Sequence, residues 1–340
     1  MNKKWLENSR FYFDATAADT QSMSNKVNRY IDYKQRLGYK FKTESFMLRC
    51  FARYADRHAP GKPVTVELAL KWASSAKSEN RRYHAKRLDA LRAFARYLAA
   101  FEPGTEIPPR GILGPSCYRV EPHIYTEEET VALTRTALEM KTYGKCFRTN
   151  PVRNSTIIGL LACTGMRIGE VLALNNKDVN LDESIITVRD SKNLPMRLVP
   201  IMDCTVRQLR EYENARDICF GPATESGAFF LSSYGTRLDH SSFFHAFSKI
   251  LESAGMKRKD SSGRRLRIHD FRHTFACNHL LRAYRENLDI DDAVHDLSVY
   301  LGHANAKATY WYLTGIPALF EQCVRRFEAY CKKPGNGGEV

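Results

Sequence analysis

The sequence predicts a mainly α-helical protein with one small β-sheet, divided into two domains. Three observations carry that expectation. Apolar residues recur at helical spacing through most of the chain. Strict alternation occurs in one place, "SIITVRDSKNLPMRLVPI", on both sides of a break from Ser191 to Pro195, and reads as a β-hairpin. Residues 102–125, "EPGTEIPPRGILGPSCYRVEPHIY", hold five prolines and three glycines, a density that stops helices and marks a connection.

Taken in order, residues 1–20 read as a loose arm. From Ser22, Val27, Tyr30, Ile31 and Leu37 fall at helical spacing. A second helix follows, with Thr43 as its N-cap and Phe46, Met47, Phe51 and Tyr54 as its apolar stripe. "TVELALKWASSA" is a short third helix. "NRRYHAKRLDALRAFARYLAAF" is a long fourth, with Leu88, Leu91, Phe94, Ala95 and Leu98 inward and arginine and lysine elsewhere. Residues 1–105 therefore read as a four-helix domain, residues 106–120 as a linker carrying Arg110 and Arg119, and residues 121–332 as a second domain. Residues 333–340 are a glycine-rich flexible tail.

The second domain restarts at "TEEETVALTRTALEM", behind a Thr126 cap and an acidic first turn. "STIIGLLACTGMRIGEVLAL" is an apolar helix interrupted at Thr164–Gly165, where a new helix starts. The hairpin comes next. "RIHDFRHTFACNHLLRAY" is helical, and "DDAVHDLSVYLGH" is helical up to a glycine stop at Gly302. "PALFEQCVRRFEAYCKK" is an amphipathic final helix, to be buried either on its own chain or on a neighbouring copy.

Composition narrows the class. The 340 residues are 43% hydrophobic and 26% charged, as in a globular protein, and no apolar run approaches a membrane span. The start carries no apolar stretch of a signal peptide, so a cytoplasmic protein is expected. Nine scattered cysteines, with no C-x-x-C pair, argue for reduced thiols rather than a disulfide framework or zinc knuckle. The net charge is +14. Residues 1–105 hold 21 Lys+Arg against 10 Asp+Glu, so most of the excess lies in the first domain. That imbalance fits a polyanion partner and, equally, a solvated basic surface.

Several residues can carry chemistry. Arg167, in "TGMRIGE", stands where a turn opens a helix, a seat for an anion, or an ordinary surface arginine paired with Glu170 one turn on. In "RIHDFRH", His269 and Arg272 place a proton-transfer group beside a phosphate clamp. His269 and His273, four apart, are alternatively two zinc ligands, but the zincin pattern needs glutamate where Asp270 stands, and no third ligand is signposted. Lys192 lies in the hairpin turn. His303 is followed nine residues later by Tyr312, in "ATYWYL", where Tyr310, Trp311 and Leu313 also suit core packing.

The order of these residues resembles the tyrosine recombinases, or phage integrase family, over residues 121–330. The family's T-G-x-R-x-x-E motif stands here as "TGMRIGE", with Arg167 and Glu170. Its hairpin lysine, five positions before R-x-V-P, is Lys192 before "RLVP". Its H-x-x-R box gives His269 and Arg272, its L-G-H box gives His303, and the spacing from that histidine selects Tyr312. The resemblance implies a helical, SAM-like core-binding domain followed by a catalytic domain, the two closing as a C-shaped clamp on duplex DNA. It implies attack by Tyr312 on a phosphodiester held by Arg167 and Arg272, with Lys192 as general acid, His269 as base or relay and His303 as hydrogen-bond donor to the phosphate. Glu170 supports the site, and no metal or cofactor is required. Two copies on an inverted-repeat core site and four in a synapse, with or without sister recombinases, are the implied partners.

The chain departs from the pattern in places. The usual G-K-G-x-K-x-R hairpin reads "DSKNLPMR", and the stretch from Arg272 to His303 is long for Xer-type members. The arm is too short for an added arm-site domain. "TYWYL" resembles recombinases carried by transposons, so integration, excision or transposition of a mobile element is the expected role. Loss of catalysis with retained DNA binding, as an accessory subunit, is the alternative.

Overall fold

The structure is a computed structural model. It describes residues 22–116, 121–141, 149–191, 194–256, 266–303, 307–310 and 324, with backbone alone at 190, 191, 194, 195, 307 and 308. The chain divides into two compact units at Val120–Glu121. Among the described residues, no helix is long and apolar enough to cross a membrane.

The first unit is helical: α1 (Met23–Arg36), α2 (Lys42–His58), α3 (Val66–Ser74) and α4 (Arg81–Leu98). Its core joins Val27, Leu48, Phe51, Trp72, Leu88, Leu91 and Phe94. Local capping starts the later helices. Thr65 accepts from Leu68 N at the head of α3, and Asn80 from Arg82 N at the head of α4. The head of α1 is capped from afar, by Asp56 on α2, which accepts from the Met23 and Ser24 amides and both neighbouring serine hydroxyls.

Three sequence expectations fail here. Helix α2 starts at Lys42, not behind a Thr43 cap; its N-cap is Phe41 in a left-handed conformation, whose ring packs edge-on against Tyr30. Phe46 is 62% exposed, because the buried stripe of α2 runs through Met47, Leu48, Phe51, Ala52 and Ala55. Leu37 is the C-cap of α1 and is exposed, since Gly38 turns the chain away with φ 84°. The proline-rich segment is also anchored at its start. Buried Arg92 of α4 donates to the carbonyls of Pro108 and Pro109, and Glu106 pairs with the backbone at Val64 and Val66.

The second unit begins with α5 (Glu127–Glu139), opened by a Thr126–Glu129 capping box. Helix α6 (Asn150–Thr164) follows and runs through the core, burying Ile157, Ile158, Leu160 and Leu161. It ends at Gly165, left-handed at φ 60°, and Arg167 then caps the short α7 (Ile168–Ala173). The sheet is β1 (Val179–Asn180), β2 (Ile185–Ser191) and β3 (Leu194–Pro200), antiparallel in that order. Ile186 faces Val199, and Val188 faces Arg197. The expected hairpin is thus present and gains a short third strand. Its turn residues, Lys192 and Asn193, lie outside the described residues.

Helices α8 (Asp203–Phe220) and α9 (His240–Ser253) were not anticipated. Both carry legible stripes: Val206, Leu209 and Tyr212 in α8, and Phe243, Phe247, Ile250 and Leu251 in α9. Helix α10 (Asp270–Arg285) and α11 (Ile290–Leu301) pack together through Cys277, Leu280, Val294 and Leu297. Between them lies only a short turn, so the long stretch after Arg272 is mostly helix. Gly302 ends α11 at φ 65°, and α12 (Lys307–Tyr310) follows. Tyr312 falls outside the described residues, and of the final amphipathic helix only Val324 is described, helical and exposed within this chain.

The two glycines of α6 should respond oppositely to alanine. A Cβ at Gly165 would stand 2.7 Å from the Phe275 ring on a left-handed backbone. Gly165→Ala should cost about 1–2 kcal/mol in backbone strain and about 1–3 kcal/mol more in repacking. Gly159, in the helix interior, has nothing within 4 Å of such a Cβ, so Gly159→Ala should stabilise by about 0.5–1 kcal/mol. Urea denaturation midpoints measure both.

Candidate active site

The site is built where two helices end. Helix C-termini leave carbonyls without helical partners and carry partial negative charge. Helix α6 ends at Gly165 and α11 ends at Leu301–Gly302. Arg272, on the first turn of α10 and only 2% exposed, lies between the two ends. Its guanidinium donates to Gly165 O at 2.9 Å and to Leu301 O at 2.7 Å. It also donates to His303 Nε2 at 2.9 Å.

That last contact fixes the imidazole. A guanidinium only donates, so Nε2 is the proton-free nitrogen. Nδ1 then carries the hydrogen and donates to Thr309 Oγ1 at 2.7 Å. Burial and the nearby Arg272, Arg167 and Arg197 hold the His303 pKa down to about 4, so the ring is neutral at pH 7. His303 braces Arg272 in this arrangement. Its expected hydrogen bond to a phosphate would require that contact to open or the ring to take up a proton.

Arg167 enters through Glu170. The Glu170 carboxylate accepts from Arg167 N at 2.9 Å and from its guanidinium at 2.7 Å. Arg197, on the inward face of β3, holds the same carboxylate through two nitrogens, at 3.2 and 2.7 Å. Burial alone would raise the Glu170 pKa, but the hydrogen bonds and charge of the two arginines outweigh it and bring it to about 2. Glu170 is therefore fully ionised, and two guanidiniums share one carboxylate. The imbalance suits an added anion.

His269 caps α10. The residue is exposed, yet the surrounding protein and the guanidiniums of Arg272, Arg267 and Arg167 lower its pKa to about 4. Fully buried Asp270 accepts from Arg267 through both backbone and guanidinium, repeating the Arg167–Glu170 arrangement one helix away. Thr274 then links α10 to the start of the unit by accepting from Tyr125 N, and Tyr125 stacks on Phe271 at 4.3 Å.

The His269 and His273 rings meet edge to face, with centroids 5.1 Å apart. Among the described residues, no group of three or more histidine, cysteine and acidic side chains could hold a metal ion. The surrounding arginines repel a dication and favour a phosphate.

The structure thus brings together Arg167, Glu170, Arg272 and His303, with His269 at the head of the same helix as Arg272. Lys192 and Tyr312 lie outside the described residues. Sequence reasoning missed Arg197 and Thr309 as parts of the site. Arg197 had a signal: Met196 and Leu198 are each 56% exposed, so the alternation of β3 turns the arginine inward between two apolar residues. Thr309 is fully buried, but a buried threonine beside a histidine has no sequence signature.

Comparison with known proteins agrees with this arrangement. The model of the phage integrase family matches residues 125–315. A putative integrase/recombinase of Sinorhizobium fredii is 37% identical over 305 residues, covering 89% of this chain and 96% of that protein. Two solved structures share the fold. XerH site-specific recombinase, in a post-cleavage complex with a palindromic difH substrate, aligns at TM-score 0.62 and 18% identity, over 90% of this chain and 85% of that one. The Tn1549 transposon integrase, in complex with transposon right end DNA, aligns at TM-score 0.62 and 16% identity, over 90% and 99%. With its fold, its clustered arginines and histidines and a family match over more than half its length, the chain belongs to the phage integrase family and is a tyrosine recombinase.

Proposed function

We propose that this recombinase cleaves and rejoins duplex DNA at specific sites through a covalent 3′-phosphotyrosine, moving a mobile element by integration, excision or transposition. The observation that carries the reading is the convergence of Arg167 and Arg272 on His269 and His303, an anion seat beside two neutral histidines. Arg167 and Arg272 hold the non-bridging oxygens of the scissile phosphate, where charge accumulates on in-line attack. The Tyr312 hydroxyl oxygen bonds to phosphorus as the bond to the 5′-oxygen breaks. Lys192 protonates that leaving oxygen, and His269 receives or relays the phenol proton. The seated phosphate raises the histidine pKa values, which makes His269 a better base than it is in the free protein. The phosphotyrosine bond preserves the energy of the phosphodiester, so a 5′-hydroxyl from another strand reverses the step.

Residues 1–105 serve as core-binding domain, residues 106–120 as linker and residues 121–332 as catalytic domain, with residues 333–340 a tail. A palindromic site, such as the difH substrate in the XerH complex, calls for two copies related by a two-fold axis. We extend that to this chain as a dimer on an inverted repeat and a tetramer in synapsis. A cytoplasmic, nucleoid-associated location follows from the substrate.

The assignment is tested by mixing the protein with sheared genomic DNA of its host, stopping with SDS, and recovering DNA bound to protein. Wild type should give an adduct whose linked peptide contains Tyr312, and EDTA should not prevent it. Tyr312→Phe should abolish the adduct and Tyr310→Phe should keep it; the reverse result would mean the other tyrosine is the nucleophile. Arg167→Ala should slow adduct formation by about 10²–10³-fold, the scale of losing an oxyanion donor.

The imidazole brace gives a separate prediction. Thr309→Val removes the acceptor of His303 Nδ1–H while keeping side-chain volume. Adduct formation should slow by about 10–100-fold, as for other residues that orient a functional histidine, with binding of the recovered DNA unchanged in a gel-shift titration.

A further inference from the structure

An arginine on the core-facing side of a strand needs an explanation, because burying its charge is costly unless it is paired. Arg197 has only 7% of its side chain exposed and faces the same way as Val199, which is fully buried. Its guanidinium makes two kinds of contact. Two nitrogens hold both oxygens of Glu170, at 3.2 and 2.7 Å. The third, Nε, donates to Tyr300 O at 3.0 Å, in the last turn of α11 just before His303. The approach is close enough that a Cβ on Gly302 would stand 3.0 Å from the Arg197 guanidinium. Glycine at this position serves both the left-handed turn and the arginine beneath it.

One side chain on the hairpin thus touches the two elements that present Arg167 and His303. Arg167 holds Glu170 through its backbone N and one guanidinium nitrogen, and 29% of its own side chain is exposed. Arg197, nearly enclosed, adds a two-point contact to both oxygens that lysine cannot reproduce. The same strand begins two residues after Lys192 in sequence, so Arg197 ties the hairpin to the elements that present Arg167 and His303.

We propose that Arg197 is a positioning residue of the recombination reaction: through Glu170 and the Tyr300 carbonyl it sets Arg167 and the His303 turn in register with the hairpin that bears Lys192. The inference rests on the phosphotyrosine mechanism proposed above. Arg197 does not touch the phosphate; it acts through the residues that do.

The test uses full-length protein and a DNA fragment recovered from the wild-type adduct. Single-turnover cleavage at saturating protein and Kd for the fragment are measured separately for Arg197→Met and Arg197→Lys, with folded fraction checked by circular dichroism. Both variants should cleave about 10–100-fold more slowly, on the scale of other orienting contacts, while Kd stays within about twofold of wild type, the scatter of such a titration rather than a loss of phosphate contacts. Arg197→Lys should resemble Arg197→Met, because the forked geometry matters and not the charge. In a Glu170→Gln background, Arg197→Met should add little further loss. Cleavage at the wild-type rate per folded molecule in Arg197→Lys would overturn the proposal, as would a loss confined to Kd or one fully multiplicative with Glu170→Gln. Failure of wild type to form any adduct would instead sink the mechanism beneath it. Should Arg197→Met not fold, Arg197→Lys and its double variant carry the same decision.

Discussion

A single buried cation organises the catalytic unit. Arg272 is almost wholly enclosed, and burial of an unpaired guanidinium would cost several kcal/mol. Carbonyls at the ends of two helices and an imidazole nitrogen receive it. Those ends exist because Gly165 and Gly302 adopt left-handed conformations and stop α6 and α11 in the right places. The arginine therefore depends on two glycines more than 130 positions apart, and in turn holds together α6, α10 and α11. Moving either helix end by a fraction of a turn would expose the guanidinium to an unpaired environment. The same geometry aims negative helix-end dipoles at a positive group whose proposed task is to hold an anion.

The first unit shows that net charge and available charge differ. Its excess of cations over acids was read from composition, yet part of that charge is already used. Arg92 is buried against two proline carbonyls and Asp89, Arg87 lies over the Trp72 ring at 4.2 Å, and Lys26 pairs with Glu102 at 2.6 Å. These residues hold α4 and the following segment to the core. Lys42, Arg49 and Arg53 remain exposed and line one groove between α1 and α2 together with Asn28 and exposed Phe46. Charges of that second kind are the ones a polyanion can reach. A count of lysine and arginine sees both kinds alike.

The sequence made legible whatever is governed by neighbours along the chain. The Thr126 capping box, the glycine stops, the inward face of α4 and the alternation of β2 and β3 all depend on residues within one or two turns. The order Arg167, Glu170, His269, Arg272, His303 was legible in the same way, as a resemblance of motifs. Contacts between distant segments were not. Asp56 caps a helix more than thirty residues before it, and Phe41 starts α2 in a strained conformation because its ring packs on Tyr30. A local rule prefers Thr43 there, and tertiary packing overrides it. Arg197 was visible only as a landmark before a proline, since nothing nearby in sequence reveals that its partner is Glu170.

The two tyrosines around Trp311 illustrate where physical reading can still discriminate. Tyr310 donates its hydroxyl to Asp291 at 2.9 Å, on the first turn of α11. That bond and the charge of Asp291 raise the phenol's pKa and keep it protonated. A phenol held this way is a poor nucleophile, and its carboxylate partner lies at the far end of α11 from His303. Thr309, one residue earlier and about 100° round the helix, is bound to His303. Successive residues of α12 thus divide between the arginine cluster and the remote end of α11. The hydrogen bond to Asp291 therefore holds the Tyr310 phenol away from the cluster that Thr309 helps to build.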